Sequence, residues 1–166
     1  MEIMECCAGL RIKRMDEADA EAILALYRSN PQYFAAMNSD AEIEGVRSDL
    51  VALPDGKGPE DKHYLGLYDG DRLAAVIDLI ERYPDAQTIF IGLFMVDAAW
   101  QGQELGSRIV RECLRCFAHA GYARVRLGYV EGNAQSEAFW KKNGFTPTGV
   151  RSEREGYTVI LAQREF

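Results

Sequence analysis

The sequence predicts an α+β domain in which a mixed, mostly antiparallel sheet of six or seven strands carries helices on both faces, in α/β/α layers. Three observations support this class. Strand-sized apolar runs follow one another through tight turns, which makes neighbouring strands antiparallel. One long amphipathic helix separates two further strand-sized runs, so those two can lie parallel. The length of 166 residues suits one domain, 1–166, with a single core.

The N-terminal third alternates between strand and helix signals. Residues 10–15 alternate apolar and basic side chains, as a half-buried strand does. Asp16 can cap a helix over residues 17–28. Ser39 and Glu42 have the spacing of a capping box, which predicts a second helix after them. The apolar face of that second helix consists of Ile43, Val46, Leu50 and Val51.

The middle of the chain has the pattern of a meander of three strands. Residues 63–68 and 73–82 are apolar, strand-sized runs, and the turn residues 69–71 between them indicate a hairpin. A second turn at 83–86 leads to the β-branched and aromatic run Thr88–Val96, which suits a buried central strand. These three strands are therefore expected to be antiparallel neighbours.

The C-terminal part begins with the long helix. Its apolar residues recur at helical spacing between 105 and 120, and Gly121 provides a left-handed residue for its end. A strand is expected over 124–130, and residues 145–150 and 156–163 are expected to form a closing strand pair.

Composition and charge restrict the classes of molecule that the protein is expected to bind. The net charge of −7 argues against nucleic acid or an anionic membrane surface and fits a cationic amine substrate. Residues 1–5 are acidic and lack the pattern of a signal peptide, so a cytoplasmic location is expected. The sequence leaves a homodimer open.

The four cysteines do not indicate a metal site. Cys113 and Cys116 have the spacing of a redox or zinc half-site, but both fall inside the long helix, and the other pair, Cys6 and Cys7, is adjacent. We interpret Cys113 as a small buried apolar residue of the core.

A glycine-bearing loop joins the central strand to the long helix at residues 101–107. Free N–H groups at a helix N-terminus, together with the helix dipole, favour phosphate oxygens. A dinucleotide-binding loop would need a glycine at position 104, which is Glu104, and no Gly-Lys-Ser/Thr of a Walker loop follows. An ordinary strand-to-helix connection remains the alternative.

The loop resembles the Gln-x-x-Gly-x-Gly/Ala loop of the GNAT N-acetyltransferase superfamily, with Gln101 first and Gly106 last. A second segment, residues 133–145, is similar to that family's other signature: Asn133, a small residue at Ser136, an aromatic pair, and a closing Gly-Phe. Glu104 departs from the family pattern, which usually has a glycine there.

The resemblance implies a GNAT-type fold and acetyl-CoA as cofactor. In that fold the central strand and the strand after the long helix splay apart, and the pantetheine arm enters the gap. The loop would surround the pyrophosphate, and the central strand would hold the pantetheine and the thioester. For Asn133, a helix N-cap is a second role. The cofactor residues implied are Phe94, Met95, Val96, Gln101, Gly102, Gln103, Leu105, Gly106, Ser107, Asn133, Ser136, Phe139 and Trp140.

The general acid and general base of such a reaction are not part of either motif, so the sequence offers only candidates for them. Asp78 lies in an apolar run, where burial would raise the pKa of its carboxyl towards that of a usable base, and a structural carboxylate is the alternative. Tyr83 is a second candidate base. Trp140 stands where many family members have tyrosine, and an indole N–H cannot act as an acid at neutral pH. Ser136, Tyr129 or water must then serve, or the thiolate leaves unassisted.

The acceptor pocket carries no motif. In this family the helices after the first strand often shape it, which makes Tyr33, Phe34 and Met37 candidates to line it, with ordinary packing as the alternative. We expect an enzyme that moves an acetyl group from acetyl-CoA to a primary amine of a small molecule or peptide by direct attack in a ternary complex. A non-catalytic acyl-CoA-binding module is the alternative function.

Overall fold

The computed structural model describes residues 6–166, with side chains from Cys7 onward. The acidic segment 1–5, on which the signal-peptide expectation rests, lies outside the described residues. In chain order the strands are β1 Cys6–Cys7, β2 Leu10–Arg14, β3 Lys62–Asp69, β4 Arg72–Glu81, β5 Thr88–Val96, β6 Arg124–Val130, β7 Thr146–Arg154 and β8 Tyr157–Glu165. The α-helices are α1 Ala20–Arg28, α2 Pro31–Ala35, α3 Ile43–Val51, α4 Leu105–His119 and α5 Ala134–Lys142.

The described strands form one sheet in the order β1-β2-β3-β4-β5-β6-β8-β7. Every neighbouring pair is antiparallel except β5 and β6, which are parallel, as predicted. The α+β class is confirmed. The sheet exceeds the expected six or seven strands by the two-residue strand β1, whose pattern is too short to detect in a sequence.

Helices cover both faces of the sheet and divide the core in two. The larger cluster lies between the sheet and helices α4 and α5, and includes buried Cys113 and Phe117. The smaller one lies between the sheet and helices α1 and α3, and includes Tyr27, Val46 and Met95. Cys113 therefore packs in the core, as its interpretation as a small apolar residue predicts.

The capping-box prediction at Ser39 was wrong. Helix α3 begins only at Ile43, with Glu42 in extended backbone as its N-cap, and Ser39 instead donates its hydroxyl to the carbonyl of Phe34 at 3.4 Å. The reason is that residues after α2 complete the turn of that short helix, so Ser39 belongs to its end. Val51, expected on the apolar face, is 72% exposed at the last turn of α3.

Candidate acetyl-CoA site

The sheet opens between β5 and β6. Their parallel pairing runs from Thr88 opposite Arg124 to Ile91 opposite Leu127, although both strands continue beyond this point. Gly92 follows immediately as an extra residue, a β-bulge opposite β4, since Asp78 pairs with Leu93 and the next residue of β4 pairs with Ile91. A bulge bends its strand and ends regular pairing. The sequence therefore separates the two strands at the residue after Ile91.

A cleft of about 510 Å³ lies where the strands diverge. Its walls are the end of β5, the loop before α4, the N-terminal parts of α4 and α5, and residues 29–33 after α1. Of the thirteen residues predicted for the cofactor, twelve line this cleft, and Gln103 does not. The structure thus brings the two separate sequence motifs to one site.

The loop presents a row of backbone donors. Gly102 and Glu104 have φ of +77° and +61°, the left-handed region, which turns the chain tightly into α4. Within residues 6–166, the N–H groups of residues 102–107 make no backbone hydrogen bond of good geometry. Consecutive free N–H groups at the start of a 15-residue helix make a site for an anion.

Glu104 does not place its charge against this row. Its carboxylate is paired with Lys142 at the end of α5, with Nζ 2.7 Å from Oε1 and 2.8 Å from Oε2. This ion pair lowers the pKa of the Glu104 carboxyl. The departure from the family loop is therefore balanced by a cation from the second motif.

Side-chain amides fix the loop to the end of the central strand. Gln101 donates through Nε2 to Oδ1 of Asn30 at 2.7 Å and to the carbonyl of Val96 at 2.8 Å. Asn30 in turn donates to the same carbonyl at 3.1 Å. The first residue of the loop motif is thus tied both to β5 and to the end of α1.

An aromatic wall closes the cleft on the side of α5. Phe94 stacks on Phe139 with ring centroids 5.8 Å apart, and Trp140 packs edge-on against Phe139 at 4.9 Å. Gly106 lies against this wall, because a Cβ there would come within 3.2 Å of the Phe139 ring and 3.5 Å of Val96. Trp140 is buried and so packs in the core as well as lining the cleft.

Helix α5 begins as its sequence predicts. Oδ1 of Asn133 accepts a hydrogen bond from the backbone N–H of Ser136 at 3.2 Å, so Asn133 is an N-cap that also lines the cleft. Buried Ser107 accepts a hydrogen bond from Asn143 at 3.2 Å, which joins the first turn of α4 to the end of α5.

The candidate base Asp78 is buried, with 7% of its surface exposed. Its Oδ2 lies 2.8 Å from Nζ of Lys62. Burial raises the pKa of the Asp78 carboxyl to about 6, although Lys62 acts to lower it. Asp78 does not line the cleft, but Val76, two residues before it on the same face of β4, pairs with Met95, which does.

The other candidates are dispersed. Tyr33 lines the cleft, whereas Phe34 packs beside it, with ring centroids 5.0 Å apart, and does not line the cleft. Met37 follows α2 and is also outside the lining. Tyr83 packs edge-on against Phe90 at 5.5 Å, away from the cleft.

Residues 20–145 match the acetyltransferase (GNAT) family. The chain belongs to this family. Membership agrees with the predicted enzyme class, an acyltransferase, and with acetyl-CoA as the predicted cofactor, since that is the acetyl donor of GNAT acetyltransferases.

A curated relative and several solved structures resemble this GNAT chain. The mycothiol acetyltransferase of Thermobispora bispora is 31% identical over 140 residues, a match that covers 77% of this chain and 42% of that protein. The chain thus spans about two fifths of the length of that relative.

The solved structures share the fold. An acetyltransferase from Thermus thermophilus has a TM-score of 0.73 at 22% identity, over 95% of this chain and 97% of that chain. The PaiA N-acetyltransferase of Thermoplasma acidophilum, in complex with coenzyme A, has a TM-score of 0.69 at 17% identity, over 95% of this chain and 99% of that chain.

Sequence reasoning missed several residues that line this cleft. Asn30 and Trp100 line the cleft, and the Trp100 ring lies under the guanidinium of Arg72 at 4.5 Å. Asn30 had only the signal of a helix end, and nothing in its neighbourhood marks the loop 71 residues away that it contacts. The Lys62 partner of Asp78 likewise comes from a different strand.

No helix within the described part of the chain is both long and apolar enough to cross a membrane.

Proposed function

We propose that this GNAT protein is an N-acetyltransferase that moves the acetyl group of acetyl-CoA to a primary amine of a small molecule or peptide, by direct attack in a ternary complex. The observation that carries the proposal is the cleft itself. It joins the free N–H groups of residues 102–107, the open end of β5 and the start of α5 in one cavity. The proposed location is the cytoplasm.

The residues present fit the pyrophosphate of the cofactor. The backbone donors of Gly102, Leu105, Gly106 and Ser107 line the cleft, and they carry no side-chain charge. Glu104, the one acidic residue there, is neutralised by Lys142. These N–H groups would bind the phosphate oxygens, while Gln101 keeps the loop fixed to Val96.

The end of β5 would orient the acyl group. Beyond Ile91 the backbone of Phe94, Met95 and Val96 borders the cleft without a β6 partner. Acetyl-CoA supplies the activated thioester carbonyl, and backbone N–H groups at this edge would stabilise negative charge on its oxygen. The aromatic wall of Phe139 and Trp140 would exclude water from the reacting atoms.

Protons need a route in and out. Asp78 would accept the proton of the amine, because its raised pKa lies near the operating pH of a general base. Two residues of strand span roughly 7 Å, so the transfer would pass through water. Trp140 supplies no acid, and Ser136, Tyr129 or water would protonate the thiolate unless it leaves unassisted. We leave Tyr83 out of this route because it packs on Phe90.

The acceptor would enter between α2 and the end of β5, where Tyr33 and Met95 both line the cleft. The net charge of −7 favours a cationic amine in solution. The mycothiol acetyltransferase similarity supports a small-molecule amine as one acceptor class to include in a screen.

The experiment has two stages. Calorimetric titration with acetyl-CoA measures binding, and a thiol-release assay over a panel of primary amines then measures turnover. We expect both. Binding without turnover on any amine would favour the non-catalytic acyl-CoA-binding module, and absence of binding would refute both functions.

Two variants connect the assay to the site. Gly106→Trp should abolish measurable acetyl-CoA binding, because even a Cβ there crowds Phe139, whereas the control Gly45→Trp, on the open surface of α3, should bind as the wild type does. Asp78→Asn should lower kcat while leaving the Kd for acetyl-CoA unchanged. An unchanged kcat would remove Asp78 from the mechanism.

A further inference from the structure

Lys62 and Asp78 form an ion pair inside the protein. Lys62 begins β3 and Asp78 lies on β4, and their side chains are 6% and 10% exposed. In register, Asp78 pairs with Tyr64, so Lys62 reaches it diagonally from two residues away. All three side chains lie on the sheet face that packs against α1 and α3, the face that also carries Met95.

The two oxygens of Asp78 have different surroundings. Oδ2 holds Nζ of Lys62 and lies against the β5 bulge, where a Cβ on Gly92 would be only 2.7 Å away. Oδ1 is buried and has no hydrogen-bond partner within residues 6–166. Glycine in the bulge therefore makes room for the Asp78 carboxylate. Lys62 fixes one of its oxygens, and the other accepts no hydrogen bond.

The buried pair of Lys62 and Asp78 is not expected to stabilise the fold. A buried ion pair roughly breaks even or costs stability relative to packed apolar residues, unless further hydrogen bonds satisfy both groups. Nearly all buried polar atoms in proteins have such partners. Asp78 retains both costs, because its charge is buried and one of its oxygens is unpaired.

We infer that Lys62 is a positioning residue for the proposed base: it fixes Oδ2 of Asp78 and leaves Oδ1 as the oxygen that accepts the amine proton, which water relays from the cleft. This inference rests on the proposed function. Lys62 does not touch the cleft, so its effect on the reaction passes through Asp78.

The other groups around Asp78 act in the opposite direction to Lys62. Burial and the carboxylate of Asp49 on α3 both raise the pKa of the Asp78 carboxyl, and Lys62 lowers it. Tyr27 holds Asp49 in place, with its hydroxyl 2.8 Å from Oδ2 of Asp49 and 2.8 Å from the hydroxyl of Tyr64. On β5 Asp78 pairs with Leu93 and lies against Gly92, and neither residue carries a charge. Lys62 is therefore the cation that offsets burial.

The sign of the effect follows. Without Lys62 the pKa of Asp78 rises above about 6, so the base is protonated at pH 7 and ionises again at higher pH. An opposite charge at this range changes a carboxyl pKa by roughly 1–3 units. We expect Lys62→Met to lower kcat/KM for the amine about tenfold at pH 7 and about twofold or less at pH 9.

The test measures pH profiles of kcat/KM for the amine in the wild type, Lys62→Met and Lys62→Arg. The ionisation of the amine contributes equally to each, so differences belong to the enzyme. Lys62→Arg retains the positive charge, so its pH profile should lie closer to the wild-type profile than that of Lys62→Met does. Lys13→Met, which removes the exposed lysine of a different ion pair, with Asp19 as its buried partner, is the matched control and should leave the profile unchanged.

Three outcomes are decisive. A loss in Lys62→Met that is equal at pH 7 and pH 9, or no loss, overturns the positioning role while leaving Asp78 as base. Full activity of Asp78→Asn overturns both assignments. The ¹³C titration of the Asp78 carboxyl gives a readout without turnover: its midpoint should rise in Lys62→Met, and in Lys62→Gln if the methionine variant does not fold. An unchanged midpoint overturns the inference.

Discussion

Gly92→Ala tests the contact on which the candidate base depends. The bulge glycine has ordinary backbone angles, so alanine adds a methyl group and no backbone strain. That methyl would lie 2.7 Å from Oδ2 of Asp78 and 3.4 Å from its carboxyl carbon, closer than real Cβ atoms approach an oxygen. The carboxylate must therefore move, and it is held on its other side by Lys62.

The magnitude depends on how far the carboxylate moves. One methyl forced into a packed interior costs about 1–3 kcal/mol of stability. If the carboxylate leaves Lys62, the cost approaches the roughly 3–5 kcal/mol of a broken buried ion pair. We expect the free energy of unfolding to fall by about 2 kcal/mol or more, and kcat to fall with it.

Gly58→Ala is the matched control for this prediction. A Cβ there would also crowd a carboxylate, that of Glu60, but Glu60 is exposed and its long side chain can turn into solvent. Urea unfolding should show a loss below about 1 kcal/mol for that variant. The reasoning fails if the two variants lose equal stability, or if Asp78→Ala does not reduce the cost of Gly92→Ala by more than about 0.5 kcal/mol in a double-mutant cycle.

Three further predictions concern the rest of the molecule. Gly45→Ala, in open space on α3, should raise the free energy of unfolding by about 0.4–1 kcal/mol, and a loss would show that the helix needs glycine there. Trp140→Ala should cost about 3–5 kcal/mol in urea unfolding, because Trp140 is buried in the aromatic wall. Lys142→Ala should raise the KM for acetyl-CoA about threefold at low salt and less at high salt, since it unmasks Glu104 beside the loop. Lys142→Ala combined with Glu104→Gln should restore the wild-type KM, and an unrestored KM would assign the effect to Lys142 itself.

The parts that sequence predicts well are contiguous in the chain. The run Thr88–Val96, the loop and α4 follow one another, so an apolar run, two glycines and a helical period were enough to predict the strand, loop and helix that border the cleft. The hairpin between β3 and β4 turns at Gly70, as its local turn signal predicts. Local signals succeed where the partner of a residue is its neighbour in sequence.

The parts that sequence misses depend on contacts between distant segments. The Ser39 capping box has correct spacing, but the preceding short helix α2 uses Ser39 for its own end. Asp78 could be suspected from its apolar surroundings, yet neither Lys62 nor the bulge at Gly92 has a pattern that connects it to that position. Contacts between residues that are distant in sequence decided where Ser39 and Asp78 lie. The spacing of residues along a single sequence does not reveal such contacts.

The Glu104 position shows how two motifs compensate for one another. A left-handed φ of +61° is the conformation for which the family's usual glycine is suited, and a non-glycine residue there is uncommon. The chain retains this conformation and accepts its strain, while Lys142, at the other end of the second motif, takes the acidic side chain. Since Asn133, the N-cap of α5, and Phe139 also line the cleft, the helix that borders the candidate cofactor site is the one that neutralises the loop's charge. A substitution at Glu104 is therefore expected to act through the pair and not through the loop alone, which is why the double variant with Lys142 is more informative than either single change.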